Sequence, residues 1–89
     1  MAYKSTDPKR NNKVKEQLSS FDGCTTLIHM KKEKSPCDVK IFEDKDDPFL
    51  VHVVKYRVRS GLVSESSLVL QPEINQWIRI YEKEGFKKI

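Results

Sequence analysis

Four stretches of the chain have the pattern of β-strands: apolar and polar residues alternate in them with a period of two, except in the first half of the third, which is apolar on both sides. The stretches are residues 24–32, 37–42, 49–59 and 62–70. Residues that interrupt strands separate them: Pro36, which lacks a backbone N–H, an acidic run at 43–47, and Gly61, which suits a tight turn. The pattern therefore predicts four successive strands joined by short connections.

The last part of the chain follows a helical period instead. Residues 72–85 carry apolar side chains at i, i+3, i+4 and i+7, which forms one core-facing stripe. Pro72 suits the first turn, where an N–H has no intrahelical partner, and Gly85 suits the C-terminal end. The stripe consists of Ile74, Trp77, Ile78 and Tyr81.

These elements predict an α+β fold, in which a four-stranded antiparallel sheet is followed by one C-terminal amphipathic helix. We expect one domain over residues 21–89 and a disordered basic arm over residues 1–20, which are polar and lack periodicity. Since one helix cannot easily cover both faces of a sheet, the second face is expected to be polar, bound to a partner, or paired with a second copy.

The positive charge is concentrated in the arm. The net charge of the chain is +4, and residues 1–16 hold five basic and two acidic residues, whereas residues 21–89 hold 12 and 11. A basic arm on a near-neutral body favours an anionic partner, with nucleic acid first, through Lys9, Arg10 and Lys13. The alternative is a solvated terminus that only aids solubility.

A second group of basic residues lies on the third predicted strand. Lys55, Arg57 and Arg59 alternate, so they project to one side at ~7 Å intervals, twice the rise per residue. This spacing is similar to that of phosphates along a single nucleic-acid strand. The alternative is a solvated face on which Arg57 or Arg59 pairs with Glu65 across the strands.

Neighbouring strands extend this row if their side chains share its face. We expect Lys31 and Lys40 to join the row as a basic platform, and Phe42 to lie on the platform and stack on a base. Single-strand binders that use a sheet recognise nucleic acid in this way.

Candidate metal and catalytic residues are sparse. Cys24, His29, Cys37 and His52 lack the close pairs of a zinc site, and the run at 43–47 lacks the glycine and terminal glutamate of a calcium loop. A cysteine with a histidine is a possible nucleophile and base, but no established catalytic motif surrounds them. We therefore expect no cofactor, no metal and no enzymatic activity.

The end of the predicted sheet resembles a known group of proteins. Residues 66–80, SSLVLQPEINQWIRI, are similar in rhythm to the last strand and Trp-bearing helix of the Whirly, Pur-alpha and positive-cofactor-four single-strand binders. The resemblance implies a homodimer that binds nucleic acid on its sheet and acts in transcription or recombination. The preceding hairpin, SGLVSES, departs from the lysine- and glycine-rich hairpin of that group.

The sequence thus favours a small regulatory protein that binds single-stranded DNA or RNA. The alternative is a module or inhibitor that binds a protein partner through an edge strand or through an exposed surface at Leu62 and Val63. No apolar run has the ~18 residues of a membrane span, and no apolar segment typical of a secretory signal is present at the N-terminus. We therefore expect a cytoplasmic, nucleoid or nuclear protein that is not secreted and contacts no membrane.

Overall fold

The computed structural model describes residues 17–89. It has an α+β fold, as predicted, with an antiparallel sheet and one C-terminal helix, but the sheet has five strands rather than four. The arm residues 1–16 lie outside the described residues. The elements are β1 (Thr26–Lys31), β2 (Cys37–Glu43), β3 (Leu50–Arg57), β4 (Val63–Leu70), α1 (Ile74–Lys83) and β5 (Lys87–Lys88).

The sheet has the strand order β4-β3-β2-β1-β5. The first four strands form a meander of antiparallel neighbours. The chain then continues through α1 to the opposite edge, where β5 pairs with Met30 and Lys31 of β1. The fifth strand exists because Gly85 adopts a positive φ of 105° after the helix and Phe86 is buried. These two residues turn the chain back against the sheet.

The helix packs on one face of the sheet, which we call the helix-covered face. A 3-10 turn at Gln71–Glu73 leads into it. Ile78 and Tyr81 are buried, whereas Ile74 and Trp77 are half-buried and pack at the margin. The predicted stripe is therefore the packed face of the helix. Its buried partners from the rest of the chain are Met30, Val39, Ile41, Val51, Val53, Val69 and Phe86.

The chain itself covers part of the second face. A 3-10 turn at Leu18–Phe21 places Phe21 against this face, and residues 17–20 therefore belong to the folded part rather than to a disordered arm. The Phe21 ring stacks on Phe42 with a centroid distance of 5.1 Å and an interplanar angle of 2°. This second cluster comprises Phe21, Phe42, Val54, Tyr56 and Val63.

Candidate nucleic-acid interface

Two hairpin turns meet at one end of the sheet. The β1–β2 turn and the β3–β4 turn are joined by a hydrogen bond from the Val58 N–H to the Pro36 carbonyl, at 3.0 Å. The β3–β4 turn closes with a bond of 2.8 Å from the Gly61 N–H to the Arg57 carbonyl, and Gly61 adopts a positive φ of 75°. A glycine is favoured there because other residues rarely adopt that conformation.

A cleft of about 360 Å³ lies between these turns, and we call it the basic cleft. Four of its lining residues are cations, and one is a carboxylate. The cleft brings together three of the residues predicted to bind nucleic acid, Lys31, Arg57 and Arg59. The lining residues are Lys31, Lys32, Ser35, Pro36, Asp38, Arg57, Val58 and Arg59.

The cations of the basic cleft have no carboxylate partner among residues 17–89. The ion pairs within this part of the chain join His29 to Asp38 and His52 to Asp44, and none contains a lysine or an arginine. Lys32 places its Nζ 5.8 Å from the centroid of the Phe86 ring, which is a cation–π contact. No described carboxylate therefore pairs with a cation of the cleft, and the four cations outnumber its one carboxylate.

Asp38, the acidic residue of the cleft, is bound within the sheet. It is 5% exposed, and its Oδ2 lies 2.8 Å from His29 Nε2. The Tyr56 hydroxyl lies 3.4 Å from the same His29 nitrogen. Burial, followed by the charge of Asp38, raises the pKa of Tyr56 to about 12. Asp38 therefore belongs to a polar network with His29 and Tyr56, and its contact with His29 fixes the position of its carboxylate.

The prediction that Lys40 shares one face of the sheet with Lys55 is wrong, because the pairing of the strands places them on opposite faces. Lys55 pairs with Val39 and lies on the helix-covered face, where its Nζ is 5.8 Å from the Phe86 ring centroid. Lys40 pairs with Val54 and lies on the other face. Successive residues of a strand point to opposite faces, and the pairing of β2 with β3 decides which ones share a face. Lys40 and Lys55 therefore cannot act on one ligand surface.

Phe42 is not an exposed stacking platform. It is 5% exposed, because the Phe21 ring already covers it. Lys40 lies on the same face and places its Nζ 5.7 Å from the Tyr56 ring centroid. Phe42, which was predicted to stack on a base, is thus part of the core, and the Phe21 ring covers the face that a base would need.

The row of basic residues also ends earlier than predicted. Strand β3 stops at Arg57, and Arg59 lies in the following turn. The turn carries Arg59 to the cleft, together with Lys31 of β1. Lys32 and Ser35 were not among the residues predicted to bind nucleic acid, although the lysine doublet at 31–32, shortly before Pro36, could have indicated a basic turn at the sheet end.

The chain enters the fold beside the basic cleft. Gln17 forms an isolated bridge with Leu62, and the Leu18 N–H donates to the Gly61 carbonyl at 2.7 Å. The predicted arm residues Lys9, Arg10 and Lys13 lie outside the described residues. The described chain therefore begins next to the β3–β4 turn.

The opposite end of the sheet carries the acidic loop at 43–47. Asp44 Oδ2 accepts the N–H groups of Asp46 and Asp47, each at 3.0 Å, and Asp44 Oδ1 lies 2.7 Å from His52 Nε2. The hydrogen bond from His52, followed by that from the Asp46 N–H, lowers the pKa of Asp44. Within residues 17–89, no three carboxylate, histidine or cysteine side chains are arranged to hold a metal ion.

The two cysteines are free. Cys37 is buried, with its Sγ 4.0 Å from Ser64 Oγ, and Cys24 packs against the second cluster. No helix within the described part of the chain combines the length and apolarity needed to cross a membrane.

Comparisons with protein-family models, with curated proteins and with solved structures found no match to this chain.

Proposed function

We propose that the protein binds single-stranded nucleic acid at the basic cleft and serves as a regulatory protein. One observation supports this proposal above all: Lys31, Lys32, Arg57 and Arg59 line one cleft and have no carboxylate partner among the described residues. Arginine and lysine side chains in such a position bind phosphate oxygens and release counterions from the nucleic acid.

The arm strengthens this proposal by its point of attachment. Its net charge of +3 over residues 1–16 has the same sign as the cleft, and Gln17 anchors it beside the β3–β4 turn. A binding segment that is covalently joined to the chain near a second site acts at a high effective concentration. We propose that Lys9, Arg10 and Lys13 contact the phosphates of the same strand that the cleft holds.

Fluorescence anisotropy with single-stranded DNA and RNA tests the proposal. Binding is measured at low and moderate salt for the full chain, for a chain that begins at Gln17, and for Arg57→Glu with Arg59→Glu. We expect micromolar or tighter binding that weakens with salt, is reduced by removal of the arm, and is about 25-fold weaker in the double variant.

A matched control distinguishes the cleft from net charge. Arg79→Glu with Lys83→Glu makes the same change in charge at exposed positions of α1. We expect this control to bind nearly as well as the original chain. Equal losses in both double variants would show that overall charge drives binding, and unchanged affinity in the cleft variant would disprove the proposed site.

A protein partner is the second candidate, and the outer edge of β4 favours it. Strand β4 is the last strand in the sheet order, so within residues 17–89 its outer edge has no neighbour. Leu68 and Leu70 are 57% and 52% exposed on it, although an exposed strand edge usually avoids apolar side chains. We propose strand pairing by a protein, including a second copy in a homodimer, as the alternative function.

The two candidates differ in their dependence on salt. Binding to a protein strand through main-chain hydrogen bonds and leucines should change little with salt, whereas binding to phosphates should weaken steeply. Light scattering of the full chain and of Leu68→Lys measures the mass in solution. A dimer that Leu68→Lys converts to a monomer would support edge pairing, and a monomer in both would argue against a homodimer.

A further inference from the structure

The charge of the basic cleft is concentrated around one volume rather than spread along a row. The predicted row would have matched successive phosphates, but Lys55 turns to Phe86 on the helix-covered face and the strand ends at Arg57. What the structure brings together instead is four cations around about 360 Å³. Such an arrangement is suited to one highly charged group more than to an extended backbone.

Phosphate groups within a strand differ in charge from those at its ends. A phosphodiester inside a strand carries one negative charge, whereas a terminal phosphate monoester carries about −1.5 to −2 near neutral pH and three acceptor oxygens. The additional charge favours binding where several cations surround the phosphate. From this comparison we infer a ligand, and the inference rests on the proposed function.

We propose that the basic cleft binds the terminal phosphate monoester of a single-stranded oligonucleotide. Arg57 at the end of β3 and Arg59 in the following turn flank the cleft on one side. Lys31 at the end of β1 and Lys32 after it flank the cleft on the other side. The guanidinium groups can each present paired N–H donors to phosphate oxygens, and the lysines contribute point charges.

Ser35 provides a neutral donor at the same place. Its Oγ lines the cleft and accepts a hydrogen bond from the Cys37 N–H at 3.1 Å. A hydroxyl that accepts from the backbone still has its own hydrogen to donate, and a phosphate oxygen is a strong acceptor. The turns that carry Ser35 and the arginines are held together by the Val58 to Pro36 hydrogen bond of 3.0 Å. The backbone of the two turns is therefore held in place before a ligand arrives.

Competition between oligonucleotides tests this assignment. An internally labelled single strand is bound to the full chain and displaced by unlabelled strands of one sequence that differ only at their ends. The ends are a 5′-phosphate, a 3′-phosphate, a 5′-phosphate blocked as its methyl diester, and hydroxyls alone. We expect at least one phosphorylated strand to compete about 10-fold better than the hydroxyl strand, the scale of one additional charged hydrogen bond. The methyl diester should lose most of that advantage.

Two variants locate the effect in the cleft. Arg57→Glu with Arg59→Glu should abolish the preference for the phosphorylated end, and Arg79→Glu with Lys83→Glu should retain it. Circular dichroism verifies that each variant is folded. If the double variant does not fold, Arg59→Gln in the exposed turn replaces it and should reduce the preference.

The outcomes separate this inference from the proposed function. Equal competition by all four strands, with binding retained, would overturn the end preference and leave nucleic-acid binding in place. Binding by no strand would overturn both. Inorganic phosphate is the last competitor: if it displaced the probe as effectively as the phosphorylated strand, the cleft would be a small-anion site, and the assignment to a strand end would be wrong.

Discussion

The two ends of the sheet both carry dense charge, but they use it differently. At the acidic end, Asp44 accepts two backbone N–H groups at 3.0 Å and contacts His52 at 2.7 Å, so the loop is stabilised from within. At the basic end, Arg57 and Arg59 have no carboxylate partner among the described residues. Dense charge in the sequence is therefore not enough to predict a binding site, because the Asp44 carboxylate is already satisfied by backbone N–H groups and His52.

From this comparison we propose that the acidic end contributes to stability and the basic end to binding. Phe21 connects the core to the acidic end. Its ring contacts Phe42 and also His52, which binds Asp44, with ring-centroid distances of 5.1 and 5.2 Å. The cations of the basic cleft, by contrast, line a surface that opens to solvent. Substitutions at the first set should change the free energy of unfolding, and substitutions at the second should change affinity.

The largest expected effect is that of Phe21→Ala on stability. Phe21 is 6% exposed and stacks on Phe42, so its removal leaves a cavity and should cost ~3–5 kcal/mol of the free energy of unfolding. Urea denaturation followed by circular dichroism measures this cost, with Ser20→Ala in the same turn as the exposed control. A loss below ~1 kcal/mol would show that the 3-10 turn is not part of the core.

The next effect is that of Arg57→Glu with Arg59→Glu on affinity. If each arginine neutralises one phosphate, their loss should weaken single-strand binding about 25-fold at 0.1 M salt and lower the salt slope by about 1.4. The melting temperature should stay near that of the original chain, because Arg57 and Arg59 are exposed. A large fall in the melting temperature with unchanged affinity would reverse the roles of the two ends.

A smaller effect is expected for Asp44→Asn at the acidic end. The pKa of Asp44 is lowered in the folded state, so its charge stabilises the fold above the ordinary value of 3.8, and this contribution disappears as the pH falls through the lowered pKa. The variant should melt below the original chain at neutral pH, and the difference should vanish in strong acid. Asp46→Asn is the control, since its carboxylate accepts no hydrogen bond from the described residues. Equal melting of both variants would contradict the account.

The smallest effect is expected at alkaline pH and involves Tyr56, behind the basic cleft. Its pKa is raised from 10.0 to about 12 by burial and then by Asp38, so the folded state loses stability as the pH rises through that interval. Tyr56→Phe removes this loss. The fall in melting temperature between about pH 9 and about pH 11 should therefore be smaller for the variant. An identical fall would show that Tyr56 ionises as freely in the folded chain as in the unfolded one.

Periodicity along one element was enough to predict the helix and the four longer strands. The stripe from Ile74 to Tyr81 and the stop at Gly85 are local features, and so is the alternation within β3. The fifth strand could not be predicted in this way. It has only two residues, and it forms because Phe86 is buried against the rest of the core.

The candidate site depended on relations between elements, which one-dimensional patterns do not contain. Alternation predicted that Lys55 and Arg57 share a face, but not that Lys40 lies on the opposite one. That depends on pairing between strands, which is fixed by the hairpins and by burial. Likewise, no local pattern indicates that Phe21 stacks on Phe42, or that two separate turns bring Lys31 and Arg59 to one cleft.

A titration of the isotope-labelled full chain with a single-stranded oligonucleotide, followed by ¹H–¹⁵N NMR, tests the central claim most directly. It reports on both ends of the sheet in one experiment. The account predicts that the largest chemical-shift changes fall at residues 31–38 and 57–61, while residues 43–49 stay unchanged. Changes centred on the acidic end or on the exposed side of β4, or no changes at all, would contradict it.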